Sequence, residues 1–239
     1  MVGRYEALAL AAMFVASGCG GHKRLDPAAL QRVESVAIVV RVVQGPLVLV
    51  AQAAPALADP PTASPVESDK RLAGQLASQM RRFEASERLR GAVANKLPPE
   101  PPWSRALPAV EVATALQALL VDDRAGDFDY EALRKRGASA VLELVVREFG
   151  VRHRDGATGV FWEGTGRLLE LGSGDVLWRA PLSYDEAADP GGERRDVAVL
   201  RNGGFREAMF EMIERISDQV VAELAPGHRR QAPHAADAD

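Results

Sequence analysis

One cysteine, Cys19, stands in a chain of 239 residues. That scarcity excludes disulfide staples and a zinc site built on cysteines. A chain of this length buries enough core to fold without disulfides. Aromatic residues make up only 5%, which leaves few for a carbohydrate platform or an aromatic cage. Positive charge is not in excess either, since 29 Lys and Arg face 33 Asp and Glu for a net charge of −4. A dedicated nucleic-acid binder would show the opposite balance. The four histidines are His22, His153, His228 and His234. None has a ligand partner one helical turn away, so a helix-borne zinc site is not expected. No G-x-S-x-G elbow occurs, and the serines nearest a glycine, Ser139 and Ser173, fall in or beside turns. No two carboxylates stand out as a hydrolytic pair. Long apolar runs are missing too. The uncharged stretch Ala7 to Ala16 is too short to span a bilayer, and the apolar stretch 33–51 is interrupted by Arg41 and Gly45-Pro46.

What the chain does have begins at its first residue. Met1 to Glu6 carries Arg4, partly offset by Glu6, and the uncharged run ALALAAMFVA follows. Ala16, Ser17 and Gly18 then supply small residues ahead of Cys19. Residues 1–18 read as an export signal cut between Gly18 and Cys19. The stretch Val15-Ala16-Ser17-Gly18-Cys19 resembles the bacterial lipobox, with Ala16 where that pattern prefers leucine. The resemblance implies that Cys19 becomes the first mature residue and carries thioether-linked and amide-linked acyl chains, palmitate among them. Several chains on one residue meet the requirement for stable anchoring. Gly20 stands where a retention aspartate would sit, and by analogy with Gram-negative lipoproteins this implies the outer membrane.

Residues 19–31 read as a lipidated polar tether, 32–225 as a periplasmic α/β domain, and 226–239 as a disordered tail. Valine and isoleucine density predicts strands over 34–43 and 47–52. Two proline-rich segments, 53–68 and 96–103, read as a linker and a stiff polyproline II connector. Between them a helix capped by Ser68-Asp69 is expected to run to Asn95, with Leu72, Leu76, Met80 and Phe83 on one stripe. A second helix starts near Pro108, with Val110, Val112, Ala113, Leu116, Leu119 and Leu120 as its apolar positions. A short helix stops at Gly137. The period then changes to two, predicting an antiparallel meander over 139–151, 158–171 and 175–184. Leu142, Leu144 and Val146 fall on one face of its first strand, and Val141, Val145, Phe149 and Val151 on the other. Asn202 is the expected cap of a closing helix, Gly203 to Leu224, with a continuous stripe from Phe205 to Leu224.

Gly164-x-Gly166 lacks the strand, turn and helix order of a dinucleotide site, and reads as glycine allowing close packing in a hairpin. The acidic run DDRAGDFD, 122–129, lacks the ligand spacing of a calcium loop. No metal or cofactor is expected. Trp162 and Trp178 fall on successive strands. As core they need a partner for each indole N–H, and as surface they would mark a possible partner site. Core or sheet-edge packing is the preferred reading.

The run GASAVLELVVREFGV, the hairpin LELGSGDVLWRAPLSY and a closing helix ending DQVVAEL together resemble the small α/β domain of envelope lipoproteins. That group includes CsgG, LpoB-type activators and the TolB N-terminal domain. The resemblance implies an α/β (α+β) fold with one mixed or antiparallel sheet that includes a C-terminal three-strand meander packed by helices. It also implies a non-enzymatic adaptor or accessory subunit in envelope assembly, secretion or transport. The expected partners are the bilayer, through acylated Cys19, and other envelope proteins, with no nucleic acid. The alternatives are a periplasmic small-molecule or lipid-binding module and a carboxylate-dependent hydrolase.

Overall fold

A computed structural model describes residues 21–121, 130–189 and 191–226, the side chains of 117–121 excepted. The class is mixed α/β. Strand β1 (Val36–Val42) and strand β2 (Leu47–Leu49) both run parallel to β3 (Ala140–Arg154). Strand β4 (Ala157–Glu170) and strand β5 (Val176–Asp185) continue the sheet antiparallel, in the order β1-β3-β4-β5. The expected meander is present. The two early strands are shorter than expected, because Gln44-Gly45-Pro46 steps the chain aside between them before β2 rejoins the same neighbour.

β2 can lie against β3 because of Gly150. Its φ is +153°, and a methyl group there would overlap the Leu47 carbonyl oxygen. Between Val146 and Glu148 the register of β3 shifts by a bulge. That extra residue resets the alternation and corrects one expectation. Phe149 and Val151 join Leu142, Leu144 and Val146 in one core, while Val141 belongs to the other.

The helix expected to run unbroken to Asn95 is two helices, α2 (Pro65–Gln79) and α3 (Arg82–Lys96). Its start is a capping box at Ser64, whose Oγ accepts the Glu67 N–H while Glu67 accepts the Ser64 N–H. Met80 is extended, at φ −141° and ψ 111°, and fully buried. The break turns the apolar stripe. Leu72, Leu76 and Met80 are buried, but Phe83 is 73% exposed and α3 buries Ala85, Leu89 and Val93 instead.

Asp69, expected to help cap the helix, is 3% exposed and serves the neighbouring loop. It accepts the backbone N–H groups of Val50, Ala51 and Gln52 at 3.2, 2.7 and 3.0 Å. The segment 96–103 is not a free connector, because Trp103 opens a 3₁₀ turn, Trp103–Arg105, and is buried.

Helix α4 (Ala109–Val121) buries Val112 and Leu116 and leaves Val110 exposed, and α5 (Glu131–Lys135) ends before Gly137 as expected. The closing helix follows a short turn, α6 (Val197–Val199), capped by Asp196, and a wide turn, Leu200–Gly204. Asn202 lies inside that wide turn and does not cap. Helix α7 (Phe205–Leu224) buries the whole expected stripe, including Phe205, Met209, Met212, Ile213, Ile216, Val220 and Leu224. The main core fills the space between one face of the sheet and α2, α3 and α7, and a smaller one lies between the other face and α4 and α5. No helix among the described residues is long and apolar enough to cross a membrane.

Candidate functional site

Gly18 and Cys19 lie outside the described residues, as do the acidic run 122–129, His228 and His234. The chain is described from Gly21 on, and residues 22 and 23 are docked. The Lys23 N–H donates to the Arg179 carbonyl at 2.7 Å, and the Arg179 N–H returns a bond to Lys23 at 2.9 Å. This antiparallel bridge lies on the outer edge of β5. The Lys23 ammonium reaches the Val176 carbonyl. His22 Nε2 lies 2.7 Å from Glu223 Oε2, near the C-terminal end of α7. A turn of helix, α1 (Pro27–Leu30), capped by Asp26, follows. Leu25, Ala29 and Leu30 pack against the main core.

The same Glu223 oxygen accepts Trp178 Nε1–H at 2.8 Å. Trp162 and Trp178 are both fully buried, so the surface reading of this pair is corrected. The alternation of β4 and β5 sends both indoles to the core face, where Trp162 stacks obliquely on Phe149 with centroids 6.3 Å apart. The two differ in satisfaction. Trp162 Nε1 has no hydrogen-bond partner among the described residues. Gly166 leaves the space that Trp178 fills, since a methyl there would press into the Trp178 ring. The hairpin glycine therefore does the packing job expected of it.

The serines are structural. Ser139 Oγ accepts the Glu34 and Ser35 N–H groups at 2.9 and 3.0 Å and donates to the Ser35 carbonyl at 2.9 Å. It ties the start of β1 to β3. Ser173 Oγ donates to Glu170 at 3.1 Å within the β4–β5 turn. His153 Nδ1 meets Thr158 Oγ1 at 2.9 Å. A shallow cleft of about 300 Å³ runs past Arg134, Ser139, Glu170 and Gly172. Its charged groups are engaged, Arg134 with Glu131 and Glu170 with Arg32 and Ser173.

Two ionic groupings, each built on a buried glutamate, were not expected from the sequence. Glu143, 3% exposed, receives Arg167 Nε–H across the β3–β4 pair, beside Tyr130. Burial, reinforced by the Glu143 charge, pushes the Tyr130 hydroxyl well above the usual phenol value. Burial opposes the charge on Arg167, but the Glu143 carboxylate outweighs it and the guanidinium is held more firmly protonated. A charged residue inside an apolar strand was the available signal, and its partner sits directly opposite in register. The second grouping gathers Glu186, Glu193 and Glu211, whose oxygens lie within 4.8 Å of one another. The Arg195 guanidinium occupies their centre, at 2.8 Å from Glu186, 3.2 Å from Glu193 and 2.6 Å from Glu211. Hydrogen bonds to Glu186 above all raise the Arg195 pKa. These carboxylates already hold a cation, and it is a side chain.

No protein-family model matches the sequence, and no curated protein matches it. Solved structures of similar shape exist. A hypothetical protein of Chlamydia trachomatis, CT253, aligns over 80% of this chain and 98% of its own, with TM-score 0.41 and 10% identity. The LpoB C-terminal domain from Salmonella enterica aligns over 64% and 84%, with TM-score 0.32 and 15% identity. The lipoprotein GNA1162 from Neisseria meningitidis aligns over 78% and 97%, with TM-score 0.33 and 14% identity. All three are distant, and none assigns a family to this chain.

Proposed function

We propose that this chain is a lipid-anchored envelope protein, attached through acylated Cys19 and facing the periplasm from the outer membrane. It acts there as a non-enzymatic adaptor or accessory subunit. The observation that carries the reading is the run of small residues ending at the single cysteine, directly after an uncharged h-region. Supporting it, the chemistry-bearing side chains of the folded part are spent on structure. Asp69 holds three backbone amides, Glu143 holds Arg167, Glu186 holds Arg195, and Ser139 ties two strands. The space between the sheet and α7, where a small apolar ligand would enter, is filled by Trp162, Trp178, Met209 and Ile213, all fully buried. That filling weighs against the binding-module alternative.

The anchor is tested by Cys19→Ala, which should move the protein out of the membrane fraction and abolish palmitate labelling. Unchanged labelling would place the lipid elsewhere and sink the reading. The adaptor role is tested by cross-linking in intact envelopes followed by recovery of the acylated protein. A discrete set of envelope proteins is expected, and recovery of none above background refutes the role.

A further inference from the structure

The docked tether does more than tidy the N-terminus. We infer that the β5 edge, with the C-terminal half of α7 beside it, is the bilayer-facing side of the domain, held there by residues 22 and 23. The inference rests on the acylation of Cys19 proposed above. A tether free as far as Gln31 would let the domain stand off by on the order of 40 Å. With Lys23 fixed to Arg179, only three residues separate Cys19 from the bridged residue, a reach on the order of 14 Å over four Cα steps. The docking therefore removes most of the slack and selects a side. The bridge is antiparallel, which directs the residues before Lys23 along β5 toward Pro181. His22 against Glu223 adds a second attachment, on α7 rather than on the sheet.

The edge is suited to being covered rather than extended. Pro181 offers no N–H, and its carbonyl takes the Gln219 amide at 3.4 Å. Beyond the Lys23 bridge the edge gives a foreign strand an interrupted ladder. The far side of the molecule is different in kind. β1 lies three strand spacings away, on the order of 14 Å. There Arg82 donates to the Val43 carbonyl at 3.0 Å, next to the exposed Phe83 ring. α3 runs alongside α7 in the same sense, with Glu84 paired to Arg206 and Lys96 to Asp218. Phe83 is therefore also at the end of α7 remote from Glu223, and this side faces away from the lipid.

Acylation of Cys19 leaves the chain with no other thiol, so single labels are straightforward. Ser183→Cys, on the exposed edge of β5, and Phe83→Cys, at the far side, each receive a donor fluorophore. The full-length acylated proteins are placed in phosphatidylethanolamine and phosphatidylglycerol vesicles carrying a headgroup acceptor. Energy transfer is expected to be several-fold stronger from position 183 than from 83. The pair His22→Ala with Lys23→Pro lies outside the core, and should leave the protein on the vesicles while erasing that difference. Equal transfer from both positions with the natural tether overturns the orientation and leaves the anchor standing. Failure to stay with the vesicles overturns the anchor, and the inference with it. Amide exchange reads the docking without lipid. The Arg179 N–H should be protected and lose protection in the tether variant, and an unprotected Arg179 N–H in the natural chain refutes the docking.

Discussion

Leu142 and Leu144 point from β3 into the side chains of α2, α3 and α7, while Glu143 between them meets Arg167 and Tyr130 beside α5. On the first face stability comes from apolar area and close fit, which tolerate exchange of one hydrocarbon for another of similar volume. On the second it depends on a particular pair. A buried charge that loses its partner costs more than the pair contributes. One face is therefore graded and the other is conditional. The same sheet supports both because the alternation of a strand keeps them apart.

The comparison can be pushed hardest on the dry face. Trp178→Ala removes the ring that fills the space over Gly166 and takes one of two partners from Glu223, and should cost about 4 kcal/mol in urea unfolding. A loss below that of an ordinary surface change would mean the face is not packed as described. On the conditional face, Glu143→Ala should cost about 3 kcal/mol, because Arg167 is left half-buried beside Tyr130. Combining it with Arg167→Leu should recover a large part of that loss, and strict additivity would refute the coupling. Asp69→Ala strands three backbone donors at once, and about 2 kcal/mol is expected from the same measurement.

A gentler probe is alkaline titration. The folded protein holds the Tyr130 proton more tightly than the unfolded chain does, so its share of stability is intact below about pH 10. That share is lost as pH rises through the folded value. Tyrosinate absorbance should show Tyr130 ionising later than a free phenol, and Glu143→Gln should bring it earlier. The smallest effect is the sharpest contrast. Trp162→Phe gives up an indole N–H with no partner, so it should be milder than Trp178→Phe by about 1 kcal/mol.

The meander and the stripe of α7 were legible because each rests on local period and turn chemistry. The pairing of β1 and β2 on β3 was not, since parallel partners leave no signature in their own residues. Phe83 was misplaced for a related reason. Its spacing from Met80 fits a helix, and only the extended Met80, drawn into the core, shows that the helix ends there. The proline-rich segment concealed a good start signal, because Ser64-Pro65-Val66-Glu67 reads as linker by composition and as a capping box by position. For the site, Cys19 is a reading of the sequence alone, and the docking was not legible in it. Lys23, His22 and Glu223 are ordinary surface residues in sequence, and only the fold brings residues 22 and 223 together.

The position of β1 has a consequence for how the chain is made. Its strand partner, β3, begins about a hundred residues downstream, a pairing of high contact order. A chain delivered N-terminus first therefore cannot close its sheet until β3 has followed. Until then the valine-rich segment of β1 has no parallel ladder to join. Completion of the sheet is thus postponed until more than half of the chain has been made.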